Sequence, residues 1–208
     1  GESTGTESLQ DIHDLLYFYV DLLDELNVNN IPIVGHSLGG MFAAELAAMQ
    51  PGRFSHVSLI SPFGLWDGAE PIPDLFSISL PELAAAMYAD ANSEAALAVA
   101  TAPQARMTEV DPATSEGRAT LDYLVERAKS MSTAAKYLWP IPNRGLSKRL
   151  HRVTQPAQII WGDSDGVIPP GYAERFAKYM PNAAIHVVPN AEHMVTDEQP
   201  DHLAGLIE

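Results

Sequence analysis

The chain holds three kinds of side chain that together can attack a carbonyl carbon. Ser37 lies in Gly35-His36-Ser37-Leu38-Gly39, directly after the apolar run Ile31-Pro32-Ile33-Val34 and just before a helical pattern that reaches Met49. A serine hydroxyl is a weak nucleophile at neutral pH and needs a base, for which imidazole is the natural choice. The imidazole in turn needs a carboxylate on its far nitrogen, to hold one tautomer and to stabilise the cation that forms. His193 in Pro189-Asn190-Ala191-Glu192-His193, and the acids of Gly162-Asp163-Ser164-Asp165-Gly166, offer both, each in a loop just after an apolar run. The other histidines, at 13, 56, 151, 186 and 202, fall on helical, connecting or strand segments, and His36 is expected to pack beneath the serine turn.

A strand, a sharp turn and a helix must position Ser37. Such a turn strains the serine backbone and lifts Oγ above the sheet, and glycines at 35 and 39 are expected to make room for the close approach of strand and helix. Leu38 then falls in the first helical turn, where a free backbone N–H and the helix dipole can stabilise an oxyanion. The pattern Gly-x-Ser-x-Gly is short; the later arrival of an acid and then a histidine, each after a strand, gives it weight. Asp163 and Asp165 share one loop, and the residues alone leave both open as the acid, since Asp commonly caps a turn.

The remaining elements follow from periodicity. Leu9, Ile12, Leu16, Tyr19, Leu23 and Leu26 recur at helical spacing. Strands are expected over 31–34, 56–61, 158–161 and 184–188, with helices over 41–49, from Pro169 to Met180, and over 200–207. Strand, helix and strand with short joints are the grammar of a parallel sheet, whose functional groups gather at the carboxyl ends of its strands. Between Pro62 and about 149 the strand-like runs disappear and the chain becomes alanine-rich, with helices expected over 82–89, 93–101 and 115–137 and Pro71, Pro73 and Pro81 breaking the start. The fold class is therefore α/β, a mostly parallel sheet with flanking helices built from residues 1–61 and 150–208, plus an inserted α-helical cap over 62–149. Phe63, Leu65, Trp66, Leu138, Trp139 and Ile141, at the cap junctions, are candidates to line a pocket over the serine, and each could equally be packing the cap onto the sheet.

Twelve basic against 27 acidic residues give a formal charge of −15, which argues against nucleic acid and anionic membranes as partners. No apolar run approaches the length of a membrane span, and the absence of cysteine excludes disulfide and thiol chemistry.

Gly-His-Ser-Leu-Gly-Gly at 35–40, Ser-Pro-Phe-Gly at 61–64, Trp-Gly-Asp-Ser-Asp-Gly-Val-Ile-Pro at 161–169 and Pro-Asn-Ala-Glu-His at 189–193 together resemble the α/β-hydrolase superfamily, in its serine-nucleophile form with a helical cap. The resemblance implies a triad of Ser37, Asp165 and His193, an oxyanion donor at Leu38, and substrate contacts at Phe63, Trp66, Leu138 and Trp139. It implies hydrolysis of a small hydrophobic ester through an acyl-enzyme, with no metal or organic cofactor and a cytoplasmic setting. Thioester hydrolysis, C–C bond hydrolysis of ring-cleavage products, perhydrolysis, and non-catalytic ligand binding on the same scaffold are the alternatives. Serine at 37 argues against the dehalogenase and epoxide hydrolase branches, which carry aspartate there.

Two features depart from that family. Asn190 and Glu192 stand where its histidine loop usually has glycine. The family also has about four strands ahead of the serine strand, including the loop that completes the oxyanion hole. The core is therefore expected to be incomplete, needing an N-terminal segment or a partner chain to complete the sheet, and the 208 residues alone could be inactive.

Overall fold

The computed structural model describes residues 8–104, 107–138 and 144–207. Strands β1 (Ile31–His36), β2 (Phe54–Ile60), β3 (Ala157–Gly162) and β4 (Ala183–Val188) form one sheet in that order, every pair parallel. The register sets His36 opposite Ile60, Ile60 opposite Ile160, and Gly162 opposite Val188. The loops after β1, β3 and β4 therefore leave the sheet along one edge, and these are the loops that carry Ser37, Asp165 and His193.

Alternation along the strands sorts the core into two layers. Val57, Leu59, Ile159 and Trp161 face the larger layer, built with α1 (Ile12–Glu25), α2 (Leu38–Met49) and, later in the chain, α6 (Tyr172–Tyr179). Ile60, Ile160 and Val188 face the smaller one, closed by Val195 and by Leu203 of α8 (Pro200–Ile207). Helix α2 is buried on nearly every side, which its small residues Gly40, Ala43, Ala44, Ala47 and Ala48 permit by letting the helix lie close against the strands. Asp11 caps α1 by accepting the N–H groups of His13 and Asp14.

Between β2 and β3 run α3 (Leu80–Met87), α4 (Glu94–Ala100) and α5 (Ser115–Leu138). Sequence reasoning expected α3 two residues later, with Pro81 as a breaker. Ser79 instead caps it reciprocally with Glu82, and Pro81 sits in the first turn, where its missing N–H costs nothing. A one-turn helix, α7 (Val195–Glu198), follows the histidine loop and was not expected. Strands β1, β3 and β4 extend one or two residues beyond the expected runs, and β2 starts two residues earlier and ends one residue earlier, because a strand end continues as long as its neighbour offers partners.

Strand β1 has a partner on one side only among the described residues. Val34 on it is 46% exposed, and Tyr17, Phe18 and Leu26 of the neighbouring α1 region are 60%, 47% and 60% exposed. No helix among the described residues is long and apolar enough to cross a membrane.

Trp161 links the core to the site. Its fully buried ring lies 6.2 Å from that of Phe176, and its Nε1–H donates to the Ile168 carbonyl at 2.9 Å. Trp161→Phe leaves that carbonyl without its donor and opens a cavity. The expected cost is about 2–4 kcal/mol of stability in urea unfolding.

Candidate active site

The serine turn is built by the residues on either side of it. Strand β1 ends at His36 and α2 begins at Leu38, so Ser37 makes the reversal alone, at φ 55° and ψ −120°. That conformation costs on the order of 1–3 kcal/mol and must be held by its surroundings. The Ser37 N–H donates to the Ile60 carbonyl at 2.9 Å, and the Ser37 carbonyl accepts the N–H groups of Phe63 and Met41 at 3.0 and 3.2 Å. A Cβ at Gly35 would run into the Gly39 carbonyl and stand 2.8 Å from Ala43 Cβ, and one at Gly40 would stand 2.8 Å from Pro62 Cβ. Gly39 has open space around it, so the close approach depends on positions 35 and 40 rather than on 35 and 39.

The three side chains meet in one line of hydrogen bonds. Ser37 Oγ and His193 Nε2 are 2.8 Å apart, and His193 Nδ1 lies 2.9 Å from Asp165 Oδ2 and 3.2 Å from Oδ1. A carboxylate only accepts, so the ring proton sits on Nδ1 and Nε2 is left to accept from the serine hydroxyl. His193 is 4% and Asp165 3% exposed. The Asp165 carboxylate also takes the N–H groups of Val167 and Ile168 at 2.9 and 2.8 Å, which satisfies it in the interior and curls the loop around it. Asp163 is exposed and accepts instead from Ser164 Oγ and, at 3.4 Å, from the Ala191 N–H. The structure thus separates the two acids that the sequence left open: Asp165 contacts the imidazole, and Asp163 ties the ends of two loops. Leu38 opens α2, and its N–H, like those of any first helical turn, has no acceptor within the helix.

His36 does more than pack beneath the turn. Its Nε2–H donates to the His193 carbonyl at 2.8 Å, and the two rings lie 5.0 Å apart. Burial, and next the neighbouring His193 ring, push the His36 pKa below its usual value, which keeps the ring neutral. On the other side of the site Glu192 is pushed the opposite way. Burial raises its pKa most, the Gly166 N–H it accepts pulls down, and the charges of Asp165, Glu198 and Asp163 raise it further.

The candidate pocket residues divide. Phe63 is buried with its ring 6.4 Å from that of His193. Leu65 and Leu138, like Phe63, are buried in the larger core layer. Trp66 lines a cleft of about 210 Å³ together with Leu65, Asp67, Ser147 and the α6 residues Arg175, Lys178 and Tyr179. Trp139 and Ile141 lie outside the described residues. Arg175 pairs with both Asp67 and Glu70, which fixes the segment after β2 against α6. Among the described residues, no group of three or more His, Asp or Glu is placed to hold a metal ion.

Comparison with known proteins identifies the fold family. Residues 1–200 match the family model for the alpha/beta hydrolase fold. The dihydrolipoyllysine-residue acetyltransferase component of the acetoin cleaving system of Pseudomonas putida is 28% identical over 203 residues, covering 95% of this chain and 50% of that protein. The 2-hydroxy-6-oxononadienedioate/2-hydroxy-6-oxononatrienedioate hydrolase 1 of Dechloromonas aromatica is 27% identical over 195 residues, covering 89% of this chain and 63% of the relative. The chain therefore spans half to two thirds of the length of these two relatives. Among solved structures, the naproxen esterase of Bacillus subtilis superposes with a TM-score of 0.68 at 17% identity, over 100% of this chain and 68% of its own.

The neutral, half-buried His36 gives a pH dependence of stability. The unfolded chain takes up a proton near the ordinary value of 6.5, while the folded chain resists it to lower pH. The contribution is complete above that value and is lost as pH falls below it, with a slope of at most about 1.4 kcal/mol per pH unit. Urea unfolding of the parent and of His36→Gln at about pH 5.5 and about pH 7.5 checks this, the difference between the two pH values being expected to shrink in the variant.

Proposed function

The chain belongs to the alpha/beta hydrolase fold family, and from that premise we propose that it is a serine hydrolase cleaving a small hydrophobic carboxylic ester through an acyl-enzyme. The observation that carries this reading is the unbroken line of hydrogen bonds from Ser37 Oγ through His193 to Asp165. In this reading Ser37 Oγ attacks the ester carbonyl as its proton passes to His193 Nε2, and Asp165 stabilises the imidazolium through Nδ1–H. The Leu38 N–H donates to the oxyanion. Collapse expels the alcohol, which takes the proton from His193. Water, activated by the same imidazole, then attacks the acyl-serine and releases the acid. Phe63, beside the His193 ring, forms an apolar wall for the acyl or alkoxy group.

In the same proposal residues 62–149 form the cap, and residues 1–61 with 150–208 form the core. The second oxyanion donor, worth roughly 3 kcal/mol in the transition state, comes from a further segment or a partner chain that also covers the open edge of β1. The exposed Val34 on that strand supports this part of the reading, as does the exposure of Tyr17, Phe18 and Leu26 in the α1 region.

A second reading, hydrolysis of a C–C bond in a ring-cleavage product, is favoured by the likeness to the Dechloromonas aromatica hydrolase. A panel of p-nitrophenyl esters of graded chain length, beside a ring-cleavage dienoate, distinguishes the two. Turnover highest on short apolar esters, and stoichiometric fluorophosphonate label on the Ser37 peptide that Ser37→Ala abolishes, are the expected results. A longer form of the protein is expected to turn over esters about two to three decades faster than the 208 residues alone, through the added oxyanion donor. A protein with its sheet complete that takes no label contradicts the reading.

A further inference from the structure

Two carboxylates beside the triad have no part in the proton transfers above. Glu192, the residue before His193, turns its side chain back to accept the N–H of Gly166, the residue after Asp165, at 2.7 Å. A second tie thus runs parallel to the hydrogen bond between His193 and Asp165, joining the same two loops one residue further along. Glu198, at the end of α7, accepts the Glu192 N–H on Oε2 at 2.8 Å and the Ala89 N–H, just past α3, on Oε1 at 2.6 Å. Tyr88 O–H donates to Asp197 at 3.2 Å, and the Met194 N–H donates to the Met87 carbonyl at 3.0 Å. The histidine loop is therefore pinned on one side to the loop of the acid and on the other to the end of α3.

Electrostatics opposes this placement. Burial, and the neighbouring charges of Asp165, Glu198 and Asp163, disfavour ionised Glu192, and only the Gly166 N–H favours it. The tie to Gly166 is thus the contact that holds the Glu192 carboxylate in place, and it sets a geometry between the two loops. Such geometry matters because misplacing a reacting group by about 1 Å can cost on the order of a hundredfold in rate.

We propose that Glu192, braced by Glu198, is a positioning residue that fixes the spacing of Asp165 and His193 and couples it to the seating of α3. The base is then aligned while the segment carrying α3 is docked and loosened when that segment lifts. The inference rests on the serine hydrolase reading for its consequence in rate, and on hydrogen bonds alone for its consequence in geometry.

The test uses the protein carrying these 208 residues and the variants Glu192→Ala, Glu192→Gln and Glu198→Ala. The readouts are kcat and KM on p-nitrophenyl butyrate and the downfield proton resonance of His193 Nδ1–H. Glu192→Ala and Glu198→Ala are expected to lower kcat about tenfold, with KM within about twofold, and to weaken the resonance by faster exchange. Glu192→Gln, whose carboxamide oxygen still accepts from Gly166, is expected to keep kcat within about threefold and to keep the resonance. Should Glu192→Ala not fold, Glu192→Asp, one methylene too short for the reach, replaces it. Parental kcat and resonance in the alanine variant overturn the proposal, as does a glutamine variant that fails as badly as alanine. A parent with its sheet complete that turns over neither esters nor a ring-cleavage dienoate, but whose resonance is lost in Glu192→Ala and kept in Glu192→Gln, sinks the hydrolase reading and supports the tie.

Discussion

A carboxylate that is 3% exposed must be surrounded by donors, and the way Asp165 meets that requirement shapes the whole catalytic edge. Its oxygens take the N–H groups of Val167 and Ile168 and the Nδ1–H of His193. The first two curl the loop after β3; the third reaches across to the loop after β4. If any one of the three is lost, a buried negative charge is left short of partners, at a cost of about 1–3 kcal/mol or more. The same bond that satisfies the acid therefore fixes the imidazole tautomer and turns Nε2 towards Ser37.

That bond can form because the sheet is parallel. Every strand delivers its following loop to the same edge, and the adjacency of β3 and β4 brings the loops of the acid and the base together although 28 residues separate Asp165 from His193. The serine arrives from β1, two strands away from β3, and the strained turn at φ 55° projects it across the intervening end of β2. Ile60, at the end of β2, holds the Ser37 N–H and so serves as the post on which the turn is fixed. His36, the last residue of β1, then grips the His193 carbonyl, so the nucleophile and the base are joined by backbone as well as by side chain.

Much of this edge could be read in the residues themselves. The apolar run before Gly35 and the small residues after Ser37 leave a strand, a turn and a helix as the arrangement that buries both sides, and the structure builds it with α2 starting at Leu38. Period and turn chemistry also located the four strands, because each is an apolar run between breakers, the outer strands β1 and β4 included although they are half-exposed. The choice between Asp163 and Asp165 was not legible, since it depends on which way one short loop curls, and that is decided by Val167 and Ile168 backbone groups whose identity carries no signal. The tie through Glu192 and Glu198 was hidden for a related reason. It joins positions 26 and 109 residues apart, and read along the chain Glu192 looks only like a poor substitute for glycine. Leu138 shows the limit of reading apolar residues: position at a junction does not distinguish a pocket wall from the core, and the structure puts it in the core.

The central claim is that the hydroxyl of Ser37 becomes covalently acylated with His193 as its base. Rapid mixing of the protein with p-nitrophenyl acetate, followed by acid quench and intact-mass measurement, tests it most directly. The account predicts a transient species heavier by one acetyl group, carried on the peptide that contains Ser37 and absent from His193→Ala. Release of p-nitrophenol with no acylated species at any time, or acylation on a residue other than Ser37, would contradict it.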